Sequence, residues 1–504
     1  MQAVKFLGAK RKIRKVVALE HYSPAIEFHV HNSCVENLER SVLERVFWVN
    51  DGQGWVIPPV PHDGHFRSTL TSFTNKLLPY LPKTTPVARN KFPELYSGRK
   101  REIYTLAAAS LFNRDFEAGD AKVKAFVKAE KINFTSKLDP APRLIQPRDA
   151  RYGVELGRYI KPLEKRIVKS VNKVFNSPTI FKGLNAEESG NALKTKWNRF
   201  VHPVAVGLDA KRFDQHVHCA ALQFEHNIYK NCFYHQKHRR ELAMLLSFQL
   251  ETKGTGYCTN GKVRYRKAGG RCSGDMNTGL GNCIIMCGLI HAYCESLGLT
   301  SFELANNGDD CVVIMETSDL EMFQKSLYDW FYKMGFRMTV ETPVYVFEEI
   351  EFCQTHPVFD GQNYVMVRNV RTGIAKDCVS TVYNDTMNSL YAYYRILGQA
   401  GIHLTGGIPV WQEFYLALTK TLPKTKDGGV PLQLESGMMN LALRMDRKVR
   451  PPSDEARYSF WLAFGITPDE QILLEHHYSH IDMDWIGLKS TPYRDFNPWF
   501  PTGA

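Results

Sequence analysis

The sequence predicts an α+β fold, and three local patterns point to it. Two stretches read as β-hairpins: 302–315 around Asn307-Gly308, and 256–266 around Asn260-Gly261. Asn-Gly pairs tolerate the positive φ that a tight hairpin turn demands. Helical segments alternate with them, at 218–240, through Ile284, Ile285 and Leu289, and at 320–334. A short apolar run, Val204, Ala205, Val206, Gly207 and Leu208, reads as a further strand. At 504 residues the chain exceeds what a single core organises, so two or three subdomains are expected, with 44% hydrophobic residues to fill them.

Taken in order, residues 1–120 read as scaffold: a Lys/Arg-rich opening, a β-like run at 27–30, a helix at 35–47 and a Pro-rich loop at 58–64. From 122 to 165 the character changes. Lys122, Lys124, Lys128, Lys131, Lys137, Arg143, Arg148, Arg151, Arg158, Lys161 and Lys165 are interleaved with Val123, Phe126, Val127, Phe134 and Ile145. Cations on short extended segments suit a groove that grips phosphates; a solvated basic face is the alternative.

After the 204–208 strand come Asp209-Ala210-Lys211-Arg212-Phe213-Asp214. An unbroken strand would aim the two acids at opposite faces, so for both to serve one cleft the strand must end between them. Residues 267–282 form a glycine-rich loop that opens a helix on which Thr278 and Asn282 share a face. A polar pair on a buried face needs partners, a sugar hydroxyl or a neighbouring helix. The 302–315 hairpin delivers adjacent acids, Asp309 and Asp310, beside Val312, Val313 and Ile314. Acids there are costly unless a cation, most simply a divalent metal, neutralises them; the alternative is a solvated acidic tip. A strand follows at 335–340.

Composition narrows the partners. Lys plus Arg exceed Asp plus Glu, 64 against 52, for a net charge of +12, which favours a polyanionic partner. Eleven cysteines without C-x-x-C pairs suggest reduced thiols, with Cys283, Cys287 and Cys294 as small packing groups. His216, His218, His226, His235 and His238 fit no standard zinc spacing. No run of 18 apolar residues exists, and the basic start is not followed by an apolar signal core.

The order of these pieces resembles the motif series of viral RNA-dependent RNA polymerases. A basic stretch is followed by D-x-x-x-x-D, S-G-D-x-x-T-x-x-x-N, G-D-D, a helix and a second hairpin. The runs D-A-K-R-F-D-Q-H-V, P-R-L-I-Q-P-R, G-R-Y-I-K-P and M-G-F-R-M-T-V-E are similar to the tombusvirus-like (carmovirus-, umbravirus- and luteovirus-like) group of positive-strand RNA plant viruses. The resemblance is strong over about 120–380.

It implies a right-hand architecture whose palm is an antiparallel sheet backed by helices. Fingers would span 1–200 and 218–266, palm 201–217 and 267–365, and a largely helical thumb 366–504. Asp209 and Asp309 match the acids that hold two Mg²⁺ ions (or Mn²⁺), with Asp310 beside them, for in-line transfer at the α-phosphate. Asp214 matches the position that senses the ribose 2′-hydroxyl, through Ser273, Thr278 and Asn282. Lys128, Lys131, Arg143 and Arg148 fall in the basic finger motif. Arg143 is the first choice for the incoming triphosphate, with Lys128 and Arg148 next. Lys333 is the candidate general acid for the departing pyrophosphate, against a plain surface lysine. The 347–356 hairpin matches the primer-supporting element, with Cys353 read as packing.

The implied partners are template and product RNA, ribonucleoside triphosphates and a membrane-anchoring viral replication protein, with the host cytoplasm and its membrane surfaces as location. A reverse-transcriptase-like or two-metal nuclease enzyme, and an inactive RNA-binding scaffold, are the rival readings. The regions of Trp461 and Tyr478 carry no legible motif.

Overall fold

The computed structural model describes residues 1–19, 26–136, 139–381, 387–420, 438, 442, 444–481 and 488–492. Lys137 and parts of the 366–504 segment lie outside the described residues. The chain is a mixture of helices and strands. At its centre is a four-stranded antiparallel sheet in the order Glu303–Asn307, Asp310–Glu316, Pro203–Ala210, Met338–Val340. Strand alternation divides its side chains between two cores. Val204, Val206, Leu208, Val313 and Met315 enter one, which also holds helix Thr278–Ser296. Ala205, Val312 and Ile314 enter the other, with Phe352, Val358 and Trp411.

That helix is apolar on every side, with Leu280 through Cys294 all buried. Such a helix needs neighbours all round. Segments Thr71–Leu77, Glu164–Val174 and Cys219–Asn231 supply them on the side away from the sheet.

The amino-terminal stretch does more than its sequence suggested. Strand Gln2–Lys5 joins a five-stranded sheet, in the order Gln2–Lys5, Gly261–Ala268, Glu251–Cys258, Val123–Val127, Leu144–Ile145. The Val123–Val127 strand runs parallel to Glu251–Cys258, so this sheet is not purely a hairpin product. Helix Val35–Val42 covers it through Val35, Leu38 and Val42. The remainder of the expected 35–47 helix continues as a wider π-type turn, Leu43–Phe47. A third sheet places Lys15–Leu19 between Val379–Ser380 and Leu488–Pro492.

Three predicted boundaries shift. The 218–240 helix divides into Cys219–Asn231 and Gln236–Leu250, because the chain turns inward to bury Phe233 edge-on to Tyr159 at 5.2 Å between ring centroids. The 320–334 helix breaks at Ser326, whose hydroxyl lies 3.3 Å from the Tyr293 hydroxyl. The acidic hairpin turns one residue later than Asn307-Gly308 suggests. Asn307 already pairs with Asp310, leaving Gly308 (φ 87°) and Asp309 as the two-residue tip. Glycine first with positive φ is the requirement of a type II′ turn.

Candidate functional site

The central strand Pro203–Ala210 decides where the acids go. Asp310 pairs directly with Asp209, so the two carboxylates rise from neighbouring strands on one face. The strand then ends at Ala210, and Arg212 takes a left-handed conformation (φ 53°) that starts the short helix Phe213–His216. This break brings Asp214 round to the side of Asp209, as the odd spacing of the two acids requires. Asp309, at the hairpin tip, faces the same space. A cleft of about 580 Å³ results, lined by Asp209, Asp214, Asp309, Asp310, Ser273 and Arg143 among the predicted residues.

The cleft is open to solvent at its mouth, but its walls displace water around the acids. Burial, with Asp214 and then Asp310 and Asp209 nearby, pushes the Asp309 carboxyl up to about 6. Burial and Asp209 also raise Asp310. Mutual repulsion of this kind is what a bound cation would relieve. Glu341 and Glu351 line the same cleft, and burial, Glu351, Asp310 and Asp209 raise Glu341. Glu341 follows strand Met338–Val340 and lies across Gly207, where a Cβ would fall on its carboxylate. Among the described residues, no three His, Cys, Asp or Glu side chains are gathered into a preassembled metal cage.

Asp214 is held by two neutral donors. Ser273 Oγ donates to it at 2.7 Å and Asn282 Nδ2 at 3.0 Å. Behind them is a buried network the sequence did not reveal. Arg271 Nε donates to Asn282 Oδ1 at 2.9 Å, and its guanidinium is paired with Glu225, at 1% and 0% side-chain exposure. Burial lowers and Glu225 more than restores the Arg271 pKa, leaving it raised. Asn277 also donates to Glu225. Gly281 permits this approach, since a Cβ there would collide with the Glu225 carboxylate. Thr278 is absent from the Asp214 network: its hydroxyl donates to the Cys272 carbonyl at 2.8 Å and fixes the loop instead.

The predicted cations separate into different roles. Arg143 is 58% exposed at the cleft wall, with Glu130 at 3.1 Å from Nη1. The same Glu130 holds Lys128 at 2.8 Å. Lys131 donates to the Lys376 carbonyl at 2.8 Å, tying the basic stretch to helix Val370–Asp377. Arg148 requires a correction. Its side chain is 3% exposed and bonded to Asp275 (2.6 Å), the Ala121 carbonyl (2.6 Å) and Thr252 (3.2 Å), so it anchors the glycine-rich loop and cannot reach a triphosphate. Lys333 is exposed in the last turn of Leu327–Lys333 and does not line the cleft. Cys353 is more than packing. It lines the cleft, accepts from Asn307 Nδ2 at 3.2 Å, and with Gln354 forms two successive left-handed residues (φ 54° and 61°).

Two further arginines in the wall, besides Arg271, were missed. Arg45 comes from the π-type turn at 43–47 and donates through Nη2 to the Ala141 carbonyl at 3.0 Å, while its buried Nε has no partner among the described residues. Burial, with Arg212 and Arg143 nearby, lowers its pKa to about 10. Arg212 donates to the Glu44 carbonyl. Arg45, Arg143 and Arg212 thus line one cleft with the acids, an arrangement suited to a ligand carrying both phosphates and cations. Of the five histidines singled out, His216, His218 and His226 are buried, and burial pulls each down to about 4.

The family model described as Viral RNA dependent RNA polymerase matches residues 3–486, and the chain belongs to that family. Individual relatives carry the name RNA-directed RNA polymerase. That of Tobacco necrosis virus (strain A) is 43% identical over 471 residues, 94% of this chain and 64% of the relative. That of Maize chlorotic mottle virus is 41% identical over 474 residues, 94% of this chain and 49% of the relative. That of Oat chlorotic stunt virus is 41% identical over 506 residues, 95% and 66%. The chain therefore spans about half to two thirds of the length of these relatives.

Proposed function

We propose that this chain performs template-directed RNA synthesis from ribonucleoside triphosphates. The observation that carries the reading is the convergence of Asp209, Asp310 and Asp309 on one cleft with the Asp214–Ser273–Asn282 set. The four-stranded sheet then serves as the palm, residues 1–200 and 218–266 as fingers, and residues beyond 366 as thumb.

The acids fit divalent cations of the Mg²⁺ or Mn²⁺ type. Mg²⁺ is commonly held by one or two carboxylates together with substrate phosphates, so the lack of a closed protein cage is no obstacle. Bound cations would supply activation of the primer 3′-hydroxyl and neutralise charge on the leaving pyrophosphate. The chain's own residues do the rest. Asp209 and Asp310 present paired carboxylates from a rigid sheet, and Asp309 adds a third from the tip. Arg143, Arg45 and Arg212 attract and orient the triphosphate, and Lys128 beside Glu130 extends the basic wall. Asp214 keeps acceptor capacity free of its two neutral donors, and offers it to a ribose hydroxyl.

RNA provides the polyanion that the +12 charge calls for. No described helix is long and apolar enough to cross a membrane. Recruitment to host membranes through a separate or upstream viral replication protein is part of the same reading, on the ground of the motif resemblance. The test is Asp309→Ala in a purified elongation assay on a primed RNA template. Incorporation should fall by at least three orders of magnitude while RNA binding persists. Incorporation at the parental rate would sink the assignment.

A further inference from the structure

The first turn of helix Thr278–Ser296 contains two glycines, Gly279 and Gly281, and a charged side chain fills the space beside each. At Gly281 it is the Glu225 carboxylate, which is paired with Arg271. At Gly279 it is the Lys182 ammonium: a Cβ on Gly279 would fall on Nζ. Lys182 differs from Glu225 in one respect. It is exposed, and no acid, carbonyl or ring among the described residues partners it.

The backbone that carries it is nevertheless held in place. The preceding segment is stitched to the edge of the central sheet, where Phe181 N donates to the Asn306 carbonyl (2.9 Å) and Asn306 N to the Thr179 carbonyl (2.9 Å). Asn172 Oδ1 accepts from the Thr179 and Ile180 amides at 3.0 and 3.2 Å. Phe181 is buried and packs edge-on to Phe352, at 5.5 Å between centroids. Gly183 then turns the chain with φ 95°. Asn306 lies just before the hairpin tip, so the loop carrying Lys182 is bolted to the strand that leads into the tip holding Asp309. The charges of both Lys182 and Asp309 are felt at Cys283, one turn into the helix.

We propose that Lys182 contacts a backbone phosphate of bound RNA beside the nucleotide being joined. An ammonium with no partner among the described residues, on a loop held beside the hairpin that carries the acids, is available to an anion from outside the chain. A phosphodiester fits better than the triphosphate, because Arg45, Arg143 and Arg212 gather in the wall of the cleft and Lys182 is not among its lining residues. The inference rests on the polymerase reading, since RNA must occupy the cleft for the contact to form.

The experiment uses the full chain and a self-primed RNA hairpin with a single-stranded template overhang. Affinity is measured by fluorescence anisotropy across a KCl series, with single-nucleotide incorporation measured in parallel. For Lys182→Gln, the plot of log affinity against log salt should be shallower by about one, the contribution of one phosphate contact. The loss should be similar for hairpins of different sequence, the KM for nucleotide should stay unchanged, and Lys182→Arg should restore the slope. An unchanged slope in a parent that binds and extends RNA overturns the inference alone, as does a raised nucleotide KM with unaltered RNA affinity. A parent chain that neither binds nor extends RNA overturns the polymerase reading and this inference with it.

Discussion

Replacing Asp214 by Ala isolates the sugar-reading function that the cleft geometry supports. A carboxylate has about four lone-pair positions, and Ser273 and Asn282 occupy two of them at 2.7 and 3.0 Å. The remainder face a cleft in which, among the described residues, no cation bonds Asp214 directly, so a ribose hydroxyl is the natural third donor. Hydrogen bonds to an ionised partner contribute about 1.5–3 kcal/mol, equivalent to roughly 10- to 150-fold in a specificity ratio. The assay is single-nucleotide incorporation with matched ribo- and deoxyribonucleotides, compared as the ratio of their kcat/KM values. Asp214→Ala should lower the ribonucleotide value by about that factor and leave the deoxyribonucleotide value within about twofold, because the lost contact exists only for the former. Ser273 is exposed and Asn282 retains Arg271, so the substitution should not unfold the protein. A parallel fall for both nucleotide classes would refute the reasoning and make Asp214 a structural acid.

Two further outcomes test other parts of the molecule. In metal-free buffer the raised Asp309 carboxyl takes up its proton more readily folded than unfolded, so stability should fall as pH rises from about 4, the ordinary carboxylate value, to about 6, and stay reduced above. Asp309→Asn should flatten this fall in urea titrations at successive pH values; identical pH dependence in parent and variant would count against the cleft environment described for Asp309. Asp275→Ala leaves the Arg148 guanidinium buried without its acid and should cost about 3–5 kcal/mol of unfolding free energy, with Arg148→Met in the same chain recovering part of it. A loss under about 1 kcal/mol would show the pair to behave like a surface ion pair.

Much of the site was legible because its parts are local. The odd spacing of Asp209 and Asp214 forced a strand end between them, and Arg212 supplies it. The hairpin acids were visible, although their turn sits one residue further along. What escaped was pairing at long range. Nothing near Arg148 in sequence distinguishes it from Arg143, yet one faces solvent and the other is claimed by an acid 127 residues away. Arg45 was hidden for the same reason, since its entry into the cleft depends on a sheet built from residues 2–5, 123–127 and 251–268. Glu225 read as one more helical residue until Arg271 and Gly281 were brought against it.

The register of Asp310 against Asp209 acts as a ruler. The separation of the two acids is set by the spacing of adjacent strands, about 4.8 Å, and by backbone hydrogen bonds on both sides of the central strand. No rotamer change elsewhere can reset it. Inserting or deleting one residue within 311–316 would turn Asp310 to the opposite face, away from Asp209. Strand Asp310–Glu316 should therefore accept substitutions along its length far more readily than any change in its length.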